Sequence, residues 1–594
     1  VAMGYAAGGA VTTGVENTLI GGQAGDALTN SDRNVAVGHV ALSTNTLGQY
    51  NTAIGYAALF AANHTTATDA YNVAVGYTAG AAVTTALKNT LVGGLAGPVL
   101  TSGGENTAIG YATLFSDTQG TRSTAIGWGV LQSQNFTGAT EADNVAVGYS
   151  AGAGVTTGIK NTLIGTLAGD SLTDADSNVA VGRAALTTAT DTYNTAVGMF
   201  AGGSVTTGTN NTLIGGLAGD ALNTSNNNVA VGYQALSTDV KGTKTVAIGY
   251  QALFDQNFST NTDTYNVAVG YLAGANVTTG VQNTLIGGIA GDALTDADNN
   301  IAIGYGALSA DTLGSTSIGI GVLALAEQNF TTATDVYNVA IGFRAGEKVT
   351  TGIRNTFIGA LSGDHTTDAD HNVAVGFDAL STNVLGSKSV AVGTDVLTAQ
   401  NPATAANMYN TAVGHAAGQS VTTGIQNTLI GGLAGDALTD ADFNVAVGIA
   451  ALSSDTLGSR STAIGDNALA AQNFTTATNT YNTAVGFNAG LAVTTGVQNT
   501  LVGGLAGGAI TTGQNNVSLG AFSLDAEVAG NKSIAIGTYA LSGQSSATST
   551  DVYNTAVGHS AGQSVTTGTL NTLIGGLAGD ALTVGNSNVA MGYG

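Results

Sequence analysis

The sequence predicts an all-β protein, a parallel β-solenoid, and a repeated five-residue pattern carries that prediction. Asn, then Thr or Val, then Ala or Leu, then Val or Ile, then Gly recurs so that 34 such glycines run from Gly4 to Gly592. Of the 33 intervals between them, 25 are 17 residues, seven are 21 and one is 16. The β-branched residues before each Gly favour short strands over helices.

The coils themselves group into larger units. Three intervals of 17 and one of 21 make a 72-residue unit, and only the unit at 148–197 is shortened. We therefore expect a single continuous solenoid over 1–594, with about 34 coils of 17–21 residues. Since Val1 and Gly594 both fall inside a repeat, we expect the chain to be a segment of a longer polypeptide.

Each coil should hold about two short strands and two turns, stacked about 4.8 Å from the next coil. We expect the Asn to form an amide ladder along one turn, and the Gly to adopt a positive φ or to allow a close backbone approach. The aliphatic residue before the Gly is expected to line the interior, parallel to a ladder of Val35 and Thr52 equivalents. The structural residues predicted in this way are Asn34, Asn51, Gly38, Gly55, Gly76, Val37 and Ile54.

The middle residue of each strand is apolar as well, which predicts an oligomer. It is Ala in most coils and Leu in others, such as Leu19 and Leu91. Strands that are apolar on both faces are buried on both faces, so we expect the middle residue to pack on other chains. The small residues at Ala7, Ala24 and Ala41 suit close approach at a shared axis, and a parallel homotrimer closes such an axis most simply.

The 21-residue intervals insert longer loops that should emerge in a row, once per unit. Loops often carry function, and these pair a Phe with a Tyr. They are possible surface contacts, although their aromatic residues could equally pack the loop against its own coil or a neighbouring chain. The residues concerned are Phe258, Tyr265, Phe330, Tyr337, Phe474 and Tyr481.

Composition excludes several classes of function. The net charge of −24, with only 13 Lys and Arg residues, gives no basic footprint for nucleic acid. There is no Cys for a thiolate metal site, and no apolar run of about 18 residues for a membrane-spanning helix. The six His share no repeated spacing, and the repeated Gly-rich turns precede no helix, so we expect neither an enzyme nor a bound cofactor.

One repeated acidic pattern is a weak calcium candidate. Asp, Ala, Asp, a variable residue and Asn resemble the opening of a calcium loop, but the Gly and distal Glu of that loop are missing. The alternative is a polar turn in which Asp and Asn bond their own backbone. The candidate ligands are Asp174, Asp176, Asp296, Asp298, Asp368, Asp370, Asp440 and Asp442.

The coils Asn34-Val35-Ala36-Val37-Gly38 and Asn51-Thr52-Ala53-Ile54-Gly55 resemble the head repeats of trimeric autotransporter adhesins of the Yersinia adhesin type, which also occur in phage tail fibres. The resemblance covers practically the whole chain. It implies a left-handed β-roll, three chains to a head, and an extracellular location on a virion or a bacterial surface.

From this resemblance we expect the shaft of a tail fibre that positions a receptor-binding tip for host attachment. The alternative is an adhesin head whose coils bind matrix or other cells. A second alternative is a monomeric solenoid, for instance an ice-binding surface.

Overall fold

A computed structural model describes residues 1–594, and all of its regular secondary structure is β-strand. No helix of the length and apolarity that a membrane crossing requires is present. The chain divides into two compact units, Val1–Asp298 and Asn299–Gly594. Each unit is a parallel β-solenoid, which confirms the predicted all-β class; the left-handed type, the trimer and the single continuous shaft over 1–594 stay predictions.

Most strands are three residues long and recur once per coil; we call them ladder strands. In the first unit they are Ala2–Met3, Thr18–Ile20, Val35–Val37, Thr52–Ile54, Val73–Val75, Thr90–Val92, Thr107–Ile109, Thr124–Trp128, Val145–Tyr149, Thr162–Ile164, Val179–Val181, Thr195–Val197, Thr212–Ile214, Val229–Val231, Val246–Ile248, Val267–Val269 and Thr284–Ile286. In the second unit they are Ile301–Ile303, Ile318–Ile320, Val339–Ile341, Thr356–Ile358, Val373–Val375, Val390–Val392, Thr411–Val413, Thr428–Ile430, Val445–Val447, Thr462–Ile464, Thr483–Val485, Thr500–Val502, Val517–Leu519, Ile534–Ile536, Thr555–Val557, Thr572–Ile574 and Val589–Met591.

The remaining strands are two-residue pairs at the 21-residue coils, which we call loop coils. In the first unit Gly48–Gln49 pairs with Thr68–Asp69, Gly120–Thr121 with Thr140–Glu141, and Gly242–Thr243 with Thr262–Asp263. In the second unit Gly314–Ser315 pairs with Thr334–Asp335, Gly386–Ser387 with Ala406–Asn407, Gly458–Ser459 with Thr478–Asn479, and Gly530–Asn531 with Thr550–Asp551. A regular coil thus has one strand, and the prediction of two per coil was wrong because its other sides are turns.

Ladder strands pair in parallel and in the register that the repeat predicts. Val35 lies opposite Thr52, Ala36 opposite Ala53, and Val37 opposite Ile54. The pairing aligns equivalent residues of successive coils, so each position of the repeat forms a column along its unit.

The strand faces are the reverse of the prediction. The middle residue is buried, as at Ala36, Ala53 and Leu19, whereas the residues on either side of it are half-buried or exposed. Val37 and Ile54 therefore face outward, and Ile54 keeps 38% of its surface exposed. The interior of so short a coil is narrow, so Ala and an occasional Leu fill it while the β-branched residues remain outside.

The small residue three positions after the Gly also lies inside. Ala24 and Ala41 are fully buried within their own coils, so they are not placed at an axis shared between chains. In the second unit Leu524, Ala535, Ala540, Leu541 and Ala561 belong to one buried cluster of this kind. Ala and Leu from successive coils thus form the core.

Both the backbone conformation and the lack of room for a side chain require Gly in the conserved Gly column. Gly165 has a φ of 135°, and a Cβ on it would lie 2.5 Å from the carbonyl oxygen of Gly182, one coil further on. Both reasons given for this Gly in the sequence prediction are therefore confirmed. The same conditions hold at Gly38, Gly55 and Gly76.

The conserved Asn column forms the predicted ladder. Asn34 Oδ1 accepts the backbone N–H of Asn51 at 2.9 Å, and both side chains are buried. In a regular coil such as that of Asn161, Oδ1 accepts the N–H of Asn178 at 2.9 Å and Nδ2 donates to Ala175 O at 2.8 Å. Each Asn therefore ties its own coil to the next one.

Candidate functional site: the outward strand face and the loop coils

The first exposed feature is the outward strand face, formed by the first and third residues of the ladder strands and the residue after the conserved Gly. In the five-residue strand Thr124–Trp128, Ala125 is buried whereas Trp128 is exposed, as the alternation of a strand requires. The third residue is aliphatic or Met in every coil, and several are more than a third exposed, including Ile164, Ile286, Ile430 and Ile464. The face therefore carries a column of apolar side chains along both units.

Aromatic side chains stack along this face. In the first unit Tyr56 stacks on Tyr77 with ring centroids 5.4 Å apart, and Trp128 stacks on Tyr149 at 4.9 Å. In the second unit Phe522 stacks on Tyr539 at 5.1 Å. The rings of the first unit directly follow the conserved Gly, whereas those of the second unit stand one residue further on. In both cases the register of the coils brings equivalent positions together, and most of these rings remain about half exposed.

The second feature is a buried polar network at each loop coil. In the first unit Asp239 Oδ1 accepts the N–H groups of Gly242 at 2.9 Å and Phe258 at 3.3 Å, while Oδ2 accepts Gln256 Nε2 at 2.7 Å. Gln256 Oε1 in turn accepts Asn266 Nδ2 at 2.9 Å. The carboxylate thus holds both the start and the end of the inserted loop.

Equivalent carboxylates recur but not in every loop coil. Asp117 serves the first unit in the same way, and Asp311, Asp455 and Glu527 serve the second, all fully buried. Burial raises the pKa of Asp117, Asp239 and Asp311, although hydrogen bonds from Gln and the backbone oppose that shift. Two loop coils use Asn45 and Asn383 instead and are neutral.

The loop coil at 55–76 differs further. Ala62 stands where the other loop coils have Gln, and His64 stands where four of them have Phe. The Nε2 of His64 is buried without a hydrogen-bond partner, and burial lowers the pKa of His64. This coil therefore lacks the Gln amide, and an imidazole takes the place of the anchoring Phe ring.

The sequence carried a signal for this network that the sequence analysis did not use. Asn is missing from the ladder position in six coils, where Ser or Thr replaces it, and each of these coils immediately precedes an inserted loop. The structure gives the reason: Ser461 Oγ accepts Gln472 Nε2 at 2.8 Å, and Gln472 also donates to Asp455. The six residues are Ser123, Thr245, Ser317, Ser389, Ser461 and Ser533.

The aromatic residues of the loops separate into two groups. Phe258, Phe330 and Phe474 are buried and anchor their loops, whereas Tyr265, Tyr337 and Tyr481 are about half exposed. A surface contact by these loops would therefore fall on the Tyr side chains.

Several of these Tyr residues lie beside a cation. Lys244 Nζ is 5.0 Å from the centroid of the Tyr265 ring and 2.6 Å from Asp263 Oδ2. The hydrogen bonds that Lys244 donates to Asp263 and Tyr265 raise its pKa to about 12. Lys532, Asp551 and Tyr553 repeat the arrangement in the second unit.

The calcium candidates lie in the turn and bind other parts of the protein. Asp176 Oδ1 accepts the N–H of Ile159 at 2.8 Å, and Asp298, Asp370 and Asp442 do the same for the N–H one coil back. The first Asp of the pattern accepts a Thr hydroxyl, from the preceding coil at Asp296, Asp368 and Asp440 and from the adjacent Thr173 at Asp174. These bonds reach the neighbouring coil more often than the residue's own backbone.

The titratable side chains that could ligate a metal are scattered along residues 1–594. Nowhere in residues 1–594 do three or more His, Asp or Glu side chains come together in a way that would hold a metal ion. The His residues are dispersed: His39 stacks on Tyr56, and His365 Nδ1 lies 3.2 Å from Asp364 Oδ1.

No protein-family model matches the chain, and neither do any curated protein or any solved structure.

Proposed function

We propose that this chain is the structural shaft of an extracellular trimeric attachment fibre, of the kind that holds a phage receptor-binding tip away from the particle. The observation that carries the proposal is the outward strand face, where every coil places an aliphatic or Met side chain just before the conserved Gly. Large exposed apolar patches are rare on monomeric proteins. Three chains that turn this face toward one axis would bury it.

The bonding between coils suits a mechanical role. Backbone hydrogen bonds join each coil to the next within both units, as between the Val35 N–H and Asn51 O at 2.8 Å, and Asn side chains add to them in most coils. A bend would have to stretch several of these bonds at one coil boundary. Stiffness is therefore a property that each repeat adds.

The oligomeric state tests the proposal directly. Native mass spectrometry and sedimentation of the purified chain are expected to give three times the chain mass. A single-chain mass at micromolar concentration would refute the trimer and favour the monomeric solenoid.

A pair of matched variants locates the interface. Ile430→Asp with Ile464→Asp places two carboxylates on the outward strand face and is expected to dissociate the trimer, because a charge is costly in a buried apolar interface. Thr475→Asp with Thr476→Asp adds the same charge to an exposed loop and is expected to leave the trimer intact. If both pairs behave alike, the interface lies elsewhere.

The half-exposed Tyr residues of the loops favour a second candidate, an adhesin whose coil surface itself binds matrix or cells. In that case the purified chain, without any tip, should adhere to its target surface. Replacing Tyr265, Tyr337 and Tyr481 by Ser should then abolish adhesion without changing the oligomer. A shaft would show no adhesion in either form.

A further inference from the structure

The first unit contains an open cleft of about 440 Å³ that has no described role in the fold. It lies at the turns before the ladder strands and crosses several coils. Its charged rim is formed by Lys88, Glu105, Arg122 and Glu141, and the hydroxyls of Thr85, Ser102 and Thr121 line it as well. Polar groups therefore dominate its wall.

The cleft exists because one side chain of the repeat is missing. Gly104 stands six residues before the conserved Gly110, where eight other coils have Asp or Asn. In those coils the side-chain Oδ1 accepts a backbone N–H from the preceding coil at 2.7–2.8 Å. The acceptors are Asp32, Asp176, Asn226, Asp298, Asp370, Asp442, Asn531 and Asn586.

The backbone donor in the cleft is consequently left free. The N–H of Leu87, which corresponds to the donors in those coils, has no acceptor in the protein. A Cβ on Gly104 would lie 3.4 Å from the Leu87 nitrogen and 2.8 Å from the Leu87 carbonyl oxygen, so an Asp side chain would begin beside this donor once the backbone had shifted slightly. A backbone N–H is a strong donor that needs an acceptor. The cleft can therefore accommodate a ligand oxygen that accepts the Leu87 N–H.

Two cations stand beside this donor. Lys88 Nζ is 3.2 Å from Glu105 Oε1, and Arg122 is 3.3 Å from Glu105 and 2.8 Å from Glu141. All four side chains are exposed to nearly half or more. Exposed ion pairs are weak, so the two cations can turn toward an incoming anion.

We propose that this cleft binds the carboxylate of a small polyhydroxylated acid, the class to which uronic acids belong. The ligand carboxylate takes the place of the absent Asp side chain and accepts the Leu87 N–H, with Lys88 and Arg122 balancing its charge. Glu105, Glu141 and the three hydroxyls accept or donate hydrogen bonds to the sugar hydroxyls. The two rim carboxylates repel a multiply charged anion such as phosphate.

Calorimetric titration of the purified chain with glucuronate tests the site. Saturable binding with one site per chain is expected. Glucose lacks the carboxylate and inorganic phosphate lacks the sugar hydroxyls, so both should bind at least about tenfold more weakly. Failure of glucuronate to saturate, or equal binding of glucose or phosphate, overturns the proposal.

Two variants that add the same charge at different positions test where the ligand binds. Gly104→Asp restores the residue type of the other coils, satisfies Leu87 from within the protein and should weaken glucuronate binding at least about tenfold. Thr475→Asp, which adds the same charge to an exposed loop of the second unit, should leave binding unchanged. Equal affinity in both variants overturns the assignment to the Gly104 cleft, and neither result depends on the oligomeric state.

Discussion

The 17-residue coils and the loop coils close the same turn with different chemistry. A regular coil uses neutral groups, since the Asn amide accepts an N–H and donates to a carbonyl of the next coil, as Asn161 does. Most loop coils interrupt that ladder and hold their four additional residues with a buried Asp, Glu or Asn, a Gln and a Ser or Thr. One Asn per coil is thus enough to hold a regular coil, whereas each inserted loop needs a network of several polar side chains.

The difference in stability between regular coils and loop coils should be largest when a Gly is replaced by Ala. Gly165→Ala, in a regular coil, is expected to destabilise its region by about 3 kcal/mol or more, because the positive φ and the approach of Gly182 O both penalise a Cβ. Gly138→Ala, in a loop, is the matched control, since no atom lies within 4 Å of its added Cβ. Peptide-resolved hydrogen exchange measures both, and equal protection in the two variants would contradict the argument.

The amide ladder should show an intermediate effect. Asn427→Ala removes the acceptor of the Asn444 N–H and the donor to Ala441 O, and is expected to cost about 2–4 kcal/mol. Ser461→Ala in a loop coil should cost only about 1 kcal/mol, because Gln472 keeps Asp455 as a partner. Urea unfolding measures the loss of unfolding free energy in each variant. A larger loss in Ser461→Ala than in Asn427→Ala would contradict the expected order.

The smallest effect is one of pH, and Asp239 of a loop coil illustrates it. Burial raises the pKa of Asp239 above its ordinary value of 3.8, so the folded state holds this proton more tightly than the unfolded state. The resulting stability is complete below about pH 3.8 and is lost as the pH rises through the folded-state pKa. The loop at 255–265 should therefore be better protected near about pH 4.5 than near about pH 7.

Asp239→Asn should remove that pH dependence, since Asn383 performs the same role in another loop coil without a charge. Hydrogen exchange corrected for intrinsic rates provides the measurement. An unchanged pH dependence in the variant would assign it to other carboxyls.

Much of the fold could be predicted because stacking forces the repeat into register. The spacing of Gly and Asn fixed both columns, and Gly165 and Asn34 behave as expected. The orientation of the strand faces could not be predicted in the same way. Ala36 and Val37 are both apolar, and only the narrow interior decides that the smaller one is buried.

The candidate site was less accessible to sequence reasoning. The outward strand face was expected on the middle residues and lies on their neighbours, and the loop network depends on contacts such as Gln256 to Asp239, 17 residues apart. The Gly104 cleft required the comparison of one coil with its equivalents. A missing side chain has a structural meaning only once the partner that it leaves unpaired is known.

The Asn ladder also gives the chain a direction of growth. Within each unit, every Asn side chain bonds toward the coil that follows it, so a folded stretch presents its amide oxygens at the edge where the next residues arrive. Translation delivers residues in that same order. Each finished coil can therefore act as a template for the one being synthesised, and folding can keep pace with the ribosome without waiting for a distant part of the chain.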